Sequence, residues 1–378
     1  MWLSAAEALR RLNVKPQTLY ANVSRGRIRA KADPTDPRKS LYSRDDVERL
    51  SRRTTGRPRS ETVAAEAISW GNPVLSSAIS TVSGGHLWYR GQDAVALADR
   101  ATLEDVAQLL WGGFPAGGST RPDERPDPGI HGAMLALAGG VASGRSSLGR
   151  SAWALRDDAA DVLAMLAAAL AWPGVDPIHI RLAGRFGRPE AADDLRCAMV
   201  LLADHELNAS TFSARVAVST GASLAAGTLA ALATLSGPLH GRASVAVSAL
   251  VGDMHGAGVP ISSALRDWLG EGRAVPGFGH RLYPRGDVRA QALLDRLALT
   301  PAYAEFRVVA EDLVGEGPNV DFALAALAAV HDLPATAPME IFALARCVGW
   351  LAHMLEQAES GSIIRPRARY TGPRPPVP

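Results

Sequence analysis

Three short turns carry residues able to move protons. His240 lies in Gly237-Pro-Leu-His-Gly241, His280 closes Pro276-Gly-Phe-Gly-His280, and Asp321 ends Pro318-Asn-Val-Asp321. Glycine and proline punctuate these turns, which sets such side chains at the ends of rigid elements, where a cleft can use them. Two imidazoles and a carboxylate form an acid/base set. Each turn alone is ordinary: a histidine beside Gly-Pro is common as a satisfied turn residue, and Asn-x-Asp commonly starts a helix.

A fourth segment, Leu202-Ala-Asp-His-Glu-Leu-Asn-Ala-Ser-Thr-Phe212, adds His205. Three histidines and a carboxylate also admit a zinc reading. His205-Glu206 has no second histidine four residues on, so the helical zinc pair is missing and no metal is expected. Arginines follow in three motif contexts: Arg289 at the end of His280-Arg-Leu-Tyr-Pro-Arg-Gly-Asp-Val-Arg289, Arg346 in Ala343-Leu-Ala-Arg346, and Arg365 in Ile363-Ile-Arg-Pro366. The planar guanidinium fork meets a carboxylate with two parallel hydrogen bonds. The chain has 37 arginines, so context alone singles these out. Gly277-Phe-Gly-His-Arg-Leu282 lacks the third glycine of a dinucleotide turn, and there is no Walker A pattern.

The elements that must position these residues read as helices. With 378 residues, 47% of them hydrophobic, the chain is too long for one small core and two or three domains are expected. Glu104 to Gly112 places Val106, Leu109 and Leu110 on one stripe and stops at glycine, an amphipathic helix. Residues 115–130 read as a Pro/Gly-rich surface loop and 133–172 as Ala-rich helices. β-alternation is rare after residue 60, so the body is expected to be all-α. No Asp, Glu, Lys or Arg occurs between Arg215 and Arg242, but Ala, Ser and Thr dominate there and Gly221 and Gly227 interrupt. That composition fits a buried or subunit-interface helix better than a membrane span. Cys197 and Cys347 sit in apolar helical stretches as core filler. Glu7, Arg10 and Arg11 break any signal-peptide core, so a cytoplasmic protein is expected.

Charge sets the first part of the chain apart. Residues 1–60 carry 15 Lys+Arg against 6 Asp+Glu, a net of +9, while the remainder nets −7. A one-sided excess suits a polyanion partner or a solvated basic arm. Ser4-Ala-Ala-Glu7 is a capping box, predicting a helix to about Arg11. Pro16 starts a second helix with Leu19 and Val23 inward and Gln17, Thr18, Asn22 and Arg25 outward. Arg27–Lys31 and Lys39–Tyr42 flank Asp33-Pro-Thr-Asp-Pro37 as a hairpin, and Ser43-Arg-Asp-Asp46 caps a last helix.

Residues 1–53 resemble the winged helix-turn-helix of excisionase and MerR-type proteins. That resemblance implies DNA binding, with Gln17, Thr18 and Asn22 at base edges, Arg25 at a phosphate or guanine, and Arg27, Arg29 and Lys31 of the wing on backbone. A small helical module of this kind also serves protein docking. Residues 54–60 read as a linker.

Residues 61–378 resemble the citrate synthase family. The resemblance rests on the three turns, on the 202–212 segment, and on Leu87-Trp-Tyr-Arg-Gly91, which is similar to the family's Tyr-Arg-Gly turn. It implies an all-α citrate synthase fold: a large helical domain, about 61–243 with 342–378, and a smaller one inserted at about 244–341, the site lying in the cleft between. It further implies condensation of acetyl-CoA with oxaloacetate to citrate and CoA. Asp321 would be the base and His240 the stabiliser of the enol(ate) oxygen. His280 would polarise the oxaloacetate ketone, while His205, Arg289 and Arg346 would bind the keto acid. Arg365 would reach the neighbouring subunit's site, implying a homodimer. No cofactor is implied beyond the CoA thioester itself.

Two stretches depart from the family pattern. Arg242, Ala243 and Ser244 stand where a small residue, alanine and asparagine are usual, and Pro284-Arg-Gly-Asp-Val288 departs from a stretch ending Asp-Pro. Both bear on the acyl-CoA side. One methylene is worth about 1–3 kcal/mol in a pocket, so 2-methylcitrate synthesis from propionyl-CoA stays open beside citrate synthesis. A DNA-binding regulator whose body senses oxaloacetate or an acyl-CoA is the reading from another class.

Overall fold

The computed structural model describes residues 2–12, 19, 23, 28–33, 36–48, 75–113, 127–256, 258–368 and 370–373. It separates into two compact units, Met1–Ser76 with Arg367–Pro378, and Ser77–Pro366. The expected linker at 54–60 lies outside the described residues.

In the first unit, β1 (Trp2–Leu3) precedes α1 (Ala5–Leu12). The capping box forms as its residue types dictate: Ser4 Oγ accepts the Glu7 amide at 3.3 Å and Glu7 Oε2 accepts the Ser4 amide at 2.9 Å. β2 (Ala30–Asp33) and β3 (Asp36–Ser43) make the antiparallel hairpin, and β1 adds to it in the order β1-β3-β2. Leu3, Ala8, Leu12, Leu19, Ile28, Tyr42 and Val47 form a small core. Gln17, Thr18, Asn22, Arg25 and Arg27 fall outside the described residues. Arg29, expected on a polyanion's backbone, is largely exposed and has an ion-pair partner in its own unit: its Nε and Nη2 donate to Asp46 at 2.7 and 3.3 Å. That guanidinium holds the Asp46 carboxyl well below the usual range.

The second unit opens with a feature the all-α expectation omits. β4 (Ser80–Ser83), β5 (His86–Tyr89) and β6 (Gln92–Asp93) form an antiparallel three-stranded sheet. Strands of two to four residues are too short to declare a period of two. Their purpose is visible in the packing, because Leu87 and Tyr89 are fully buried. The Tyr89 hydroxyl lies 3.1–3.2 Å from the carbonyls of Val200, Leu201 and Asp204 and accepts the Asp204 amide.

Helices make up the rest. They are α2 (Ala94–Ala98), α3 (Leu103–Trp111), α4 (Gly129–Ser143), α5 (Ala152–Ala171), α6 (Ile178–Phe186) and α7 (Ala192–Leu202). The uncharged stretch after Arg215 is two helices rather than one. α8 (Ala209–Ser219) stops at Gly221, whose φ of +86° lies in the left-handed region, and α9 (Leu224–Leu235) turns back onto it. Next come α10 (Ala243–Gly256), α11 (Ile261–Gly270), α12 (Val288–Leu294), α13 (Pro301–Val314) and α14 (Val320–Val330). α10 packs on α13 and α14, α12 on α14, and α11 on α13.

The 24-residue α15 (Ala337–Ser360) is the spine, packed by α3, α5, α7, α8 and α9. It is buried on every side for most of its length, and carries Glu340, Arg346, His353 and Gln357 into the interior with its apolar residues. Among the described residues, no helix is long and apolar enough to cross a membrane.

Candidate active site

Two of the chemistry-bearing turns are tied to each other. The Gly279 amide donates to the Gly317 carbonyl at 2.9 Å, the Asn319 amide to the Gly277 carbonyl at 2.8 Å, and Phe278 pairs with Pro318 in an antiparallel bridge. Gly279 has a φ of +72°, in the left-handed region that favours glycine, and a Cβ there would displace the flexible end of the Glu316 side chain. Asn319 caps α14 with Oδ1, accepting the Asp321 amide at 3.0 Å, while its Nδ2 donates to the Gly279 carbonyl at 3.0 Å. His280 and Asp321 thus leave one clamped pair of turns.

His280 has a defined tautomer. Its Nδ1 accepts the Leu282 amide at 3.1 Å, so in the neutral ring the proton is on Nε2. Burial and the Arg289 charge lower its pKa to about 4, which keeps it neutral near pH 7. The His205 ring meets it edge-on, with centroids 5.2 Å apart, and is pushed further down by burial and by Arg289 and Arg346. Glu206 beside it has φ +51°, a strained value for a non-glycine, and is held there by Val82, whose amide donates to Glu206 Oε1 at 2.6 Å.

His240 stands on the turn before α10. Its Nε2 is 2.9 Å from Ser210 Oγ, on the first turn of α8. The same hydroxyl donates to Asn208 Oδ1 at 2.7 Å and accepts from Trp350 Nε1 at 3.1 Å. One proton therefore has two acceptors in reach, and the tautomer of His240 follows which one it takes. Burial first, then Arg346, lowers the His240 pKa to about 4. Phe342 packs edge-on against the ring at 6.0 Å and carries the Arg346 guanidinium over its own face at 4.7 Å.

The two buried arginines differ in what they have left to offer. Arg289 forms a bidentate pair with Asp287, Nε to Oδ1 at 2.9 Å and Nη2 to Oδ2 at 2.8 Å, with both side chains almost fully buried. Asp287 also takes the amides of Arg289 and Val320, so it caps α12 and fastens it to α14. Arg346 donates Nε to the Leu202 carbonyl at 2.8 Å. Burial and the Arg289 charge lower its pKa to about 10, the nearby Asp204 opposing them, and it remains a cation at neutral pH. Arg289 is thus neutralised by Asp287, whereas Arg346 has no direct carboxylate partner among the described residues.

Asp321 is half-buried, and its Oδ1 is buried with no hydrogen-bond partner among the described residues. Burial raises its pKa to about 6, with Arg289 and Arg346 opposing and Asp287 adding to the rise. A carboxylate tuned to that value is a competent base at neutral pH.

Six of the seven expected residues, His205, His240, His280, Arg289, Asp321 and Arg346, are thus linked by contacts or by mutual electrostatic influence. Arg365 is not: it is exposed and has no ion-pair partner among the described residues. Sequence reasoning passed over Ser210, Asp287, Tyr283 and Phe342. Ser210 lay inside the quoted motif, and Asp287, two residues before Arg289, had the spacing of a helix cap. Nothing in the sequence distinguished Tyr283 or Phe342 from core aromatics.

Beside the polar cluster lies a cavity of about 650 Å³ lined by His280, Tyr283, Arg285, Gln291, Arg307 and Glu316 among others. His280 is the residue it shares with the three-turn set, and His240 and Asp321 are outside its lining. Of the departing residues, Arg242 is exposed and Ser244 is buried. Among the described residues no group of His, Cys, Asp or Glu could hold a metal ion.

Comparison with known proteins points the same way. The family described as citrate synthase, C-terminal domain, matches residues 145–367. The citrate synthase of Haloferax volcanii is 41% identical over 191 residues, 48% of this chain and 50% of that protein. Citrate synthase 2 of Bacillus subtilis is 40% identical over 209 residues, 51% of this chain and 54% of that one. The chain thus spans about half the length of these curated relatives. The crystal structure of citrate synthase from Thermotoga maritima superposes with a TM-score of 0.62 at 25% identity, covering 82% of this chain and 96% of that one.

Proposed function

Because the chain belongs to the citrate synthase family, we propose that it condenses acetyl-CoA with oxaloacetate, giving citrate and CoA. One observation carries this proposal: a half-buried carboxylate with a pKa of about 6, Asp321, shares a site with two neutral imidazoles and two buried arginines. That is the equipment for taking a proton from the carbon beside a thioester and joining the carbanion equivalent to a dicarboxylic keto acid.

In this mechanism Asp321 takes the α-proton of the acetyl group. His240 donates to the thioester oxygen as charge develops there. For that, Ser210 turns its proton onto His240 Nε2, leaving Nδ1–H to face the substrate. The enol carbon then attacks the ketone carbon of oxaloacetate. His280, with its proton on Nε2, polarises the ketone by hydrogen bonding and stabilises the alkoxide that forms with the carbon–carbon bond, which takes up the proton that Asp321 removed. Water hydrolyses the resulting citryl thioester, releasing CoA. His205, Arg346 and the remaining Nη1 of Arg289 hold the keto acid. Arg365, which is exposed in its own chain, completes the site of a neighbouring subunit in a homodimer.

The cavity beside His280 supplies room for the acyl carrier, with Arg285 and Arg307 as cations for its phosphates. Propionyl-CoA as donor, giving 2-methylcitrate, is the nearest variant. Oxaloacetate-dependent release of CoA thiol from acetyl-CoA tests the proposal, and its absence with every acyl-CoA would reject it.

A second activity is favoured by the first unit, whose capping box, buried Leu19 and basic hairpin support a DNA-binding module. The net charge of +9 over residues 1–60 supplies the attraction to a polyanion. A regulator with this module would read oxaloacetate or an acyl-CoA through the same body.

A further inference from the structure

Tyr283 stands among three polar groups of the site without having been assigned a task. Its hydroxyl lies 3.0 Å from His205 Nε2. Its ring is 5.0 Å from that of His280 and 5.6 Å from that of His205, and the Arg289 guanidinium lies over it at 5.2 Å. The Tyr283 amide donates to the His280 carbonyl at 2.9 Å, so the backbone that carries His280 also aims this hydroxyl. The side chain is buried, and both its partners belong to the walls of one site.

A phenol and an imidazole nitrogen at this distance share one proton, in one of two ways. If His205 donated from Nε2, the Tyr283 hydroxyl would need a second acceptor for its own proton. Among the described residues it has none. If Tyr283 donates, the phenol proton is bonded within the protein and His205 must carry its single proton on Nδ1, which no described residue accepts and which is left for a ligand. Burial and the Arg289 and Arg346 cations exclude the doubly protonated ring. Burial also raises the phenol pKa to about 12, so it keeps its proton.

We propose that Tyr283 is a positioning residue that locks His205 into the Nδ1–H tautomer, making it a hydrogen-bond donor to the bound keto acid. The donor requirement follows from the substrate's chemistry, because a keto acid with two carboxylates presents only acceptors. A His205 free to exchange tautomers would offer a lone pair to a carboxylate for part of the time. The substrate half of this inference rests on the function proposed above, whereas the tautomer half stands on the geometry of the free protein.

The test separates the two. Protein labelled with ¹⁵N at histidine gives nitrogen–proton correlations that distinguish Nδ1–H from Nε2–H rings, and the His205 signal is identified by its loss in His205→Gln. The expected result is an Nδ1–H pattern for His205 in the wild type, lost or mixed in Tyr283→Phe. Alongside it, the Kd for oxaloacetate should rise about tenfold, the scale of one hydrogen bond to a charged group, with a smaller change in kcat.

An Nε2–H pattern in the wild type would overturn the proposal without any variant. An unchanged pattern in folded Tyr283→Phe would overturn it as well. A tautomer change with no oxaloacetate binding by the wild type would uphold the positioning role and reject the keto-acid function instead.

Discussion

Asn319 fastens the Asp321 helix to the His280 turn, giving its Nδ2 proton to the Gly279 carbonyl while its Oδ1 caps the Asp321 amide. One side chain thereby sets the spacing of the two groups to which the proposed condensation gives the base and the ketone-polarising role. Asn319→Ala should cost about 1 kcal/mol as a lost cap and should lower kcat/KM by more than that loss explains, about ten- to a hundredfold, because misplaced groups lose orientation. Thermal unfolding and steady-state kinetics read the two effects apart. A variant with the lower melting temperature and unchanged kcat/KM would show that the two turns need no fastening.

The pH dependence follows from Asp321. The base must be ionised, and burial places its pKa at about 6, so kcat/KM should rise with pH through about 6 and then level off. His240 and His280, both lowered to about 4, add no limb in the neutral range. Stability runs the other way for this group. A carboxyl whose folded pKa lies above its unfolded value binds its proton more tightly when folded, so the fold loses stability as pH rises from about 4 to about 6 and the loss is complete above that. Asp321→Asn should therefore raise the melting temperature at pH 8, by up to roughly 3 kcal/mol in stability, while removing activity. An activity profile flat from pH 5 to 8 would contradict the assignment of the base.

Arg365 is predicted to act across a subunit boundary. Asp321→Ala and Arg365→Ala should each be nearly inactive alone, and co-expressed subunits should recover up to about a quarter of wild-type activity, because one site of a mixed dimer then has both residues. Sedimentation checks the dimer, and no recovery in verified mixed dimers would place Arg365 in its own chain's site or in none.

For the first unit, a gel shift on DNA from the gene's own upstream region should be lost on deleting residues 1–53 and should weaken steeply with added salt. A dimer favours inverted half-sites about 10 bp apart or a multiple of that. Binding that survived the deletion would assign any DNA contact to the body.

How much of this was legible beforehand varied with the kind of information. The capping box at Ser4 and Glu7 and the helix through Val106 and Leu110 were readable, because caps and apolar stripes are local. The β4–β6 sheet was not, since Ser80–Asp93 is too short for periodicity to speak. The boundary between α8 and α9 lay under a run of small residues, marked by Gly221 and by Ser223, which caps the returning helix. At the site, residue types in the three turns announced acid/base chemistry. The partners that tune them did not announce themselves, because Ser210 meets His240 from 30 residues away and Tyr283 meets His205 from 78. Arg29 shows the same limit: its charge was legible, but not its ion pair with Asp46, 17 residues away.

The most direct test of the central claim is the release of CoA thiol from acetyl-CoA by the purified full chain, with and without oxaloacetate, repeated with propionyl- and longer acyl-CoA. Release that requires oxaloacetate and is abolished in Asp321→Ala is the predicted result, and the preferred chain length then names the acyl donor. No release with any acyl-CoA, or release that persists in Asp321→Ala, would contradict it.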